Sequence, residues 1–414
     1  MNRLVLIGNG FDLAHGLKTS YADFIHWYWQ QRIENLATED SKNSDDGLCS
    51  FEMKAHTSWR HLLSYTNPND RAENTICYME EQKWCSLHKY PFLERITQSI
   101  ETKGWVDIEN EYYELLKYYA LEDMNEEAKL KFLKSLNDQL DYLKELLVQY
   151  LKEITEQEPK IIASIRQAIY APFKKEDMSV YADYHMFEEE QWEWDDRYDR
   201  KQELPLILGK YGYDVTACME HVEAWCKDTP NNGSTSYPTA FLLPKNIMLL
   251  NFNYTHTAQI YSKTNDSFEE IHIHGDIDDT ASVIFGYGDE MHSDFDKLKE
   301  REDNECLRNA KSIRYLEATN YKKVLRFIES APFQVLIMGH SCGRSDRTLL
   351  HTIFEHKNCV SIKLCYHQKE DGTNDYLEKI QNISRNFVSM ETMRDIVVPK
   401  PQCKPLKYGI IEMK

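Results

Sequence analysis

Residues 4–16 read LVLIGNGFDLAHG, and this stretch decides how the rest of the chain is interpreted. Its first four residues are typical of a buried parallel strand, and they run directly into a Gly-Asn-Gly turn and a helix start. Two glycines at such a turn let the backbone approach a ligand, and the helix N-terminus that follows can bind a phosphate. The usual dinucleotide fingerprint has a third glycine where this chain has Leu13. By itself, the stretch therefore leaves both a nucleotide-phosphate loop and a plain strand–helix turn open.

The composition indicates a globular protein with an acidic surface. The 414 residues carry 68 Asp and Glu against 49 Lys and Arg, a formal net charge of −19, which disfavours non-specific binding to nucleic acid or to an anionic membrane. No apolar run approaches the roughly 18 residues of a membrane span. The ten cysteines form no CxxC or Cys/His pattern, so we expect reduced thiols. Since the start of the chain also lacks the apolar core of a signal peptide, we expect a cytoplasmic protein.

Strands and helices alternate in the second half of the chain. The strands are predicted at 246–250, 271–274, 282–285, 334–338 and 360–366, and a helix is predicted at 346–354. This alternation predicts an α/β fold with a parallel, Rossmann-like sheet that also contains residues 4–7. The discontinuous α/β domain would comprise residues 1–40 and 240–414, with a large, mostly α-helical insertion at 50–225.

The insertion contains an amphipathic helix whose apolar residues, from Leu133 to Ile154, recur every three or four positions. This helix must pack against a partner helix, in this chain or in a second copy, so a homo-oligomer through the helical region is possible. The acid-rich run 188–196 favours a solvated face. Turn-forming residues predict loops at 40–47 and 229–236.

Three polar segments, 251–257, 272–276 and 339–346, each follow or end a predicted strand. In a parallel sheet they would converge with Gly8-Asn9-Gly10 on one rim. An asparagine can orient a ribose or a water, and a histidine can act as a general base, which suits cleavage of a glycosidic bond in a nucleotide. Phosphoryl transfer fits less well, because no Walker-type lysine or regular carboxylate cage is evident. We expect no metal.

Several of these segments together resemble the AbiH family of bacterial abortive-infection antiphage proteins. The resemblance rests on 8–12, 18–24, 105–109, 251–254, 272–275, 285–286 and 339–346. It spans nearly the whole chain, and it is weak only between about 50 and 225. It implies a protein of phage defence, activated by a phage-derived trigger.

AbiH-like sequences in turn look like distant relatives of the sirtuin-type NAD-binding fold of antiviral NAD-cleaving enzymes. Gly8-Asn9-Gly10 resembles the glycine turn under the NAD pyrophosphate. Asn253 matches the asparagine of the sirtuin Thr-x-Asn-x-Asp motif, and His274-Gly275 matches the His-Gly that carries the catalytic imidazole. The chain departs from that motif at Asn251, in place of the threonine, and at Thr255, in place of the aspartate that helps hold the nicotinamide amide.

The resemblance implies a sirtuin-like site that binds NAD, or a related nucleotide, and hydrolyses its nicotinamide–ribose bond. Asn253 would position the ribose or the water, and His274 would be the general base. The residues that would bind the nucleotide are Gly8, Asn9, Gly10, Phe11, Asp12, Asn251, Tyr254, Gly275, Gly339, Ser341, Gly343 and Asp346. Two alternatives stay open. One is a sensor or scaffold that binds ADP-ribose-like ligands without chemistry, and the other is a metal-dependent nuclease that uses Asp107, Glu109 and Glu111.

Overall fold

The computed structural model describes residues 1–157, 159–182, 204–209, 211–232, 238–262 and 268–407. The predicted acid-rich run 188–196 lies outside this part of the chain. Within it, the strands are β1 (Asn2–Ile7), β2 (Asn43–Asp45), β3 (Cys49–Met53), β4 (Cys85–Lys89), β5 (Ile247–Asn251), β6 (Phe268–His272), β7 (Phe333–Met338), β8 (Cys359–Tyr366) and β9 (Lys404–Pro405).

Six of these strands form one parallel sheet in the order β6-β5-β1-β7-β8-β9. β1 lies in the middle, where Leu4 is in register with Met248 of β5 on one side and with Val335 of β7 on the other. The predicted strands at 4–7, 246–250, 334–338 and 360–366 are confirmed, and so is the parallel α/β class. The strand predicted at 271–274 is displaced, because β6 ends at His272.

The helices are α1 (Asn9–Ala14), α2 (Tyr21–Leu36), α3 (Trp59–Leu63), α4 (Ala72–Glu81), α5 (Pro91–Lys103), α6 (Ile108–Leu121), α7 (Glu126–Ile154), α8 (Ala163–Tyr170), α9 (204–209), α10 (Val215–Asn232), α11 (Gln259–Ser262), α12 (Ser293–Glu300), α13 (Asn304–Leu307), α14 (Lys311–Arg314), α15 (Asn320–Ser330), α16 (Arg347–Phe354), α17 (Tyr376–Ser384) and α18 (Met390–Ile396). The helix predicted at 346–354 is confirmed as α16. None of the described helices combines the length and the apolar composition of a membrane span.

Both faces of the parallel sheet are buried. Because successive side chains of a strand point to opposite faces, β1 contributes residues to a core on each side. Leu4 and Leu6 of β1 pack into a core with α15, α16, α17 and α18. Val5 and Ile7 pack on the other face against α8, α9 and the residue Val222 of α10. Residues 4–7 of β1 are therefore all apolar, which is what made them recognisable in the sequence.

A third core joins α2 to α7 with residues that follow the sheet strands, including Tyr254 and Phe285. The amphipathic helix predicted at 133–154 is confirmed within α7, and its apolar face packs on α6 and α2 of the same chain. α8, α9 and the first part of α10 also fall within 50–225, but they cover the sheet instead. The division into residues 1–40 with 240–414 and an insertion at 50–225 stays a prediction, as does the homo-oligomer.

Some of the predicted elements are wrong. Residues 282–285 form no strand, because the chain folds back over the turn after β6 and the Ile284 N–H donates to the His274 carbonyl at 2.8 Å. The helical block contains an antiparallel sheet, β2-β3-β4, whose β2 occupies part of the loop predicted at 40–47. Residues 229–232 of the loop predicted at 229–236 belong instead to α10, and residues 233–236 lie outside the described chain.

Candidate functional site

A cavity of about 640 Å³ lies at the carboxyl edge of the parallel sheet. The next strands of this sheet along the chain, β5 and β6, lie on one side of β1, and the later strands, β7 to β9, lie on the other side. The crevice between β1 and β7 is thus a topological switch point, the usual ligand site of open α/β sheets. The predicted site residues in its wall are Gly8, Asn9, Gly10, Asp12, Asn253, Tyr254, His274, Gly339, Ser341 and Asp346. The structure therefore brings the strand-end segments together at one rim.

The other predicted binding residues lie beside the wall of the cavity. Phe11 is buried in the core under the sheet, where its ring contacts Tyr261. Asn251 is buried, and its amide group donates to the Thr255 carbonyl at 3.2 Å. A Cβ at Gly275 would lie 2.2 Å from the Ser282 carbonyl oxygen, so this glycine serves the fold of its turn. Gly343 is adjacent to Ser341, whose hydroxyl accepts the Gly343 N–H at 3.4 Å.

The two glycine turns after β1 and β7 pack directly on each other. The Gly10 N–H donates to the Gly339 carbonyl at 2.9 Å, and a Cβ at Gly8 would lie 2.5 Å from the His340 Cα. Gly339 has φ of 76°, a conformation that favours glycine. The Phe11 N–H donates to the Gly8 carbonyl at 2.8 Å. The glycines are therefore needed for close packing of the backbone, and the amides of Gly10 and Phe11 already have partners within the protein.

A buried ion cluster lies behind the cavity. The Lys311 ammonium is 2.9 Å from Glu109 Oε2 and 2.8 Å from Asp346 Oδ1, although Lys311 is only 1% exposed. Glu109 belongs to α6, Lys311 opens α14, and Asp346 immediately precedes α16. The other Glu109 oxygen accepts the Gly286 N–H at 2.9 Å. The cluster therefore ties the helical block to the rim of the sheet.

Two carboxylates share one ammonium in this cluster, and they differ in protonation. Burial raises the pKa of Glu109 to about 8, because Lys311 only partly offsets the loss of hydration. Burial also opposes the ionisation of Asp346, but Lys311 and His274 outweigh it and hold the pKa of Asp346 well below its ordinary value. Asp346 is therefore the ionised carboxylate near neutral pH, and Glu109 is the one that takes a proton more readily.

Asp346 also orients two histidines. Its Oδ1 lies 3.2 Å from His274 Nε2, and its Oδ2 lies 3.4 Å from His340 Nε2. Burial and the Lys311 charge lower the pKa of His274, so its ring is neutral at pH 7. Nε2 of His274 faces both the Asp346 carboxylate and the Tyr315 hydroxyl, and in the tautomer that donates to Asp346 the lone pair is on Nδ1. Among the described residues, Nδ1 of this ring has no hydrogen-bond partner, and it is the atom that could accept a proton.

His340 is held in a matching state. Its Nδ1 accepts the Cys342 N–H at 2.9 Å, so Nε2 is its donor toward Asp346. The His274 Nε2 is also 3.1 Å from the Tyr315 hydroxyl. Both histidines line the cavity, and Asp346 lies beside each of them, which is the usual arrangement of a general base and its orienting group.

Asp12 forms a second buried acidic group in the wall. It is 1% exposed, and its Oδ2 accepts the Thr255 hydroxyl at 2.6 Å. Its Oδ1 has no hydrogen-bond partner among the described residues. Burial raises the pKa of Asp12 to about 6, against the opposing effect of Thr255. Thr255 stands where the sirtuin motif has an aspartate. Its hydroxyl donates to a carboxylate that comes from α1, the helix that follows β1.

Asn253 links two of the rim loops. Its side-chain amide donates to the Gly8 carbonyl at 3.0 Å, and its own N–H donates to Asn251 Oδ1 at 2.9 Å. Part of the hydrogen-bonding capacity of this side chain therefore fixes the loop after β5 against the glycine turn. The amide oxygen is still able to accept a hydrogen bond from a ligand.

Sequence reasoning missed several residues of the site. Lys311 is 202 residues from Glu109, and no local pattern around it marks a buried cation. Tyr315 and His340 are likewise defined only by the fold. Trp105 belongs to the segment 105–109 that carries the family resemblance, and in the structure it precedes α6, lines the cavity and is 58% exposed. The exposure of this tryptophan is what points to a binding role, and exposure becomes visible only in the structure.

The acids of the nuclease alternative have separate partners. Asp107 accepts the Asn110 N–H at 3.0 Å and begins α6, Glu109 is paired with Lys311, and Glu111 accepts the Ser99 hydroxyl at 2.7 Å. Within the described chain, the residues that approach a metal-binding arrangement are instead His256, Asp276 and Asp278, outside the cavity wall.

Fold and cavity together define a parallel α/β protein with a cavity at its switch point that is lined by buried acids and histidines. A family model described as bacteriophage abortive infection AbiH matches residues 4–368, and the chain belongs to this family. Membership implies a role in abortive-infection defence against phage. No curated protein and no solved structure matches the chain significantly.

Proposed function

We propose that this AbiH-family protein binds NAD or a related nucleotide in the cavity at the switch point and hydrolyses its nicotinamide–ribose bond. The observation that carries the proposal is the neutral His274, which lines the cavity and is oriented by the ionised Asp346. The two glycine turns and Asn253 are in the same wall.

In this reaction, His274 Nδ1 accepts a proton from water as the water oxygen bonds to C1′ of the ribose. The bond from C1′ to the pyridinium nitrogen breaks, and its electron pair leaves with neutral nicotinamide. The products are ADP-ribose, nicotinamide and one proton. Positive charge develops at C1′ in the transition state, so the carboxylates of Asp12 and Asp346 would lower its energy electrostatically. The Asn253 amide oxygen would accept a hydrogen bond from a ribose hydroxyl or from the water.

The test is incubation of the purified protein with NAD, alone and with extract of phage-infected cells, followed by chromatography of free nicotinamide. We expect release by the natural protein and a loss of at least 100-fold in His274→Ala, since general-base catalysis contributes about 10²–10⁴-fold. His88→Ala is the matched control, because His88 is exposed on β4. Unchanged turnover in His274→Ala would remove this histidine from the mechanism, and no release under either condition would contradict the activity.

A second candidate function is binding of an ADP-ribose-like ligand without turnover. The specific observation in its favour is Thr255, which replaces the aspartate of the sirtuin motif and is engaged with Asp12. Saturable binding of ADP-ribose in calorimetry, together with no nicotinamide release, would favour this function over hydrolysis.

A further inference from the structure

The cavity extends across the carboxyl edge of the sheet, and its charge changes along this length. Its wall includes His274, just beyond β6, and Lys407, just beyond β9. An extended ligand, with chemically different groups at its two ends, fits such a cavity better than a compact one does.

Buried acids dominate the part of the wall formed by α6 and by the segments that follow β1 and β7. Asp12, Glu109 and Asp346 all line the cavity and are each at most 7% exposed. Lys311 balances only part of their charge. A phosphate group placed among them would be repelled by ionised carboxylates in a poorly hydrated environment.

The other part of the wall, beyond β8 and β9, carries two lysines. Lys379 of α17 is half-buried, and its Nζ is 3.9 Å from Asp375 Oδ2. Lys407 donates to the Ala14 carbonyl at 3.4 Å. Asp375, the carboxylate on this side, accepts the His367 N–H at 2.6 Å through its other oxygen. Both lysine contacts are long, so most of the N–H donors of the two ammonium groups are available to a ligand.

We propose that Lys379 and Lys407 form a phosphate subsite, which binds the diphosphate of a nucleoside diphosphate ligand and points the ribose C1′ toward His274. This inference rests on the proposed function, because it assigns an orientation to the nucleotide in the same cavity. It also assigns the phosphate to the lysines rather than to the glycine turn after β1, whose Gly10 amide donates within the protein. The preferred ligands are then nucleotides with at least two phosphates.

Isothermal titration calorimetry with three probes tests the subsite: ADP-ribose, inorganic pyrophosphate and adenosine. We expect Lys379→Gln and Lys407→Gln each to weaken ADP-ribose binding about tenfold, because each removes a charge-assisted hydrogen bond. The double variant should lose pyrophosphate binding and keep the adenosine affinity unchanged. Lys369→Gln is the matched control, since Lys369 is exposed and follows β8 in the same region without being part of the wall. Lys379→Arg should restore most of the affinity.

The outcomes separate the subsite from the proposed function. Equal affinity of the double variant and the natural protein for ADP-ribose would overturn the subsite and leave the nucleotide site intact. An equal loss of adenosine binding in the double variant would also overturn it, because the effect would then be structural. Lysine-dependent binding of pyrophosphate without binding of ADP-ribose would support the subsite and contradict the proposed function. If the natural protein binds neither ADP-ribose nor pyrophosphate, both the subsite and the proposed function are overturned.

Discussion

Replacement of Lys311 by methionine should destabilise the protein strongly. The methionine retains most of the apolar stem but removes an ammonium that lies within 3 Å of two carboxylates in a site that is 1% exposed. Removing one partner of a buried ion pair typically costs about 3–5 kcal/mol, because the remaining charge is left unpaired. We expect a loss of this size in the free energy of unfolding at pH 7.

The two carboxylates should respond differently, because Asp346 carries the charge and Glu109 takes a proton more readily. Glu109→Gln alone should cost about 1–3 kcal/mol, less than Lys311→Met, because the glutamine oxygen accepts only one of the two hydrogen bonds that Gly286 and Lys311 donate to Glu109. Asp346→Asn combined with Lys311→Met should recover most of the stability that Lys311→Met loses, since no unpaired ion then remains. The recovery isolates the coupling between the two residues.

Urea-induced unfolding followed by circular dichroism supplies these free energies, with Lys322→Met as the matched control. Lys322 is exposed, so its replacement should change stability by no more than about 0.5 kcal/mol. A Lys311→Met protein that unfolds at the same urea concentration as the natural protein would refute the reasoning about the ion cluster. So would a Glu109→Gln variant that is as unstable as Lys311→Met.

Further predictions concern the rim of the cavity. Burial raises the pKa of Asp12 from 3.8 to about 6, so the folded protein binds this proton more tightly and loses stability as the pH rises through that interval. Asp12→Asn should therefore melt at a higher temperature than the natural protein at pH 8, and no higher at pH 4. An equal difference in melting temperature at both pH values would contradict this. Gly10→Ala should destabilise the protein by more than about 2 kcal/mol in urea-induced unfolding, because the added Cβ would lie 2.9 Å from Gly339. At Gly47 an added Cβ meets open space, so Gly47→Ala should cost only about 1 kcal/mol, for its positive φ. Equal losses of stability would argue against the close packing of the two glycine turns. Trp105→Ala should weaken ADP-ribose binding about tenfold in calorimetry, because the exposed indole ring is expected to stack on the adenine base. Trp105→Phe should retain most of the affinity. An unchanged affinity in Trp105→Ala would remove this residue from the site.

The inner strands of the parallel sheet were predictable because they are buried on both faces and end at glycine or polar residues, whereas β9 was not predicted. Leu4 to Ile7 and Val335 to Met338 are buried between two helical layers, so they read as continuous apolar runs. The short antiparallel sheet was not predicted. In β3 only Cys49, Phe51 and Met53 are buried, and five alternating residues between helices give little signal.

The candidate site was predictable only as far as strand ends define it. The parallel topology brings Gly8, Asn253, His274 and Gly339 to one rim, so knowledge of the strands was enough to place them together. The ion cluster was not predictable, because Lys311 acquires its partners from elements about 35 and 202 residues away in the sequence. Its charge is stabilised by tertiary contacts, which leave no local pattern.

A crystal structure of the protein with ADP-ribose tests the central claim most directly, namely that the cavity at the switch point binds a nucleotide. We predict electron density across the carboxyl edge of the sheet, with the terminal ribose C1′ within about 4 Å of His274 and the diphosphate within hydrogen-bonding distance of Lys379. Density for ADP-ribose outside this cavity, or an empty cavity in crystals grown at saturating ligand concentration, would contradict it.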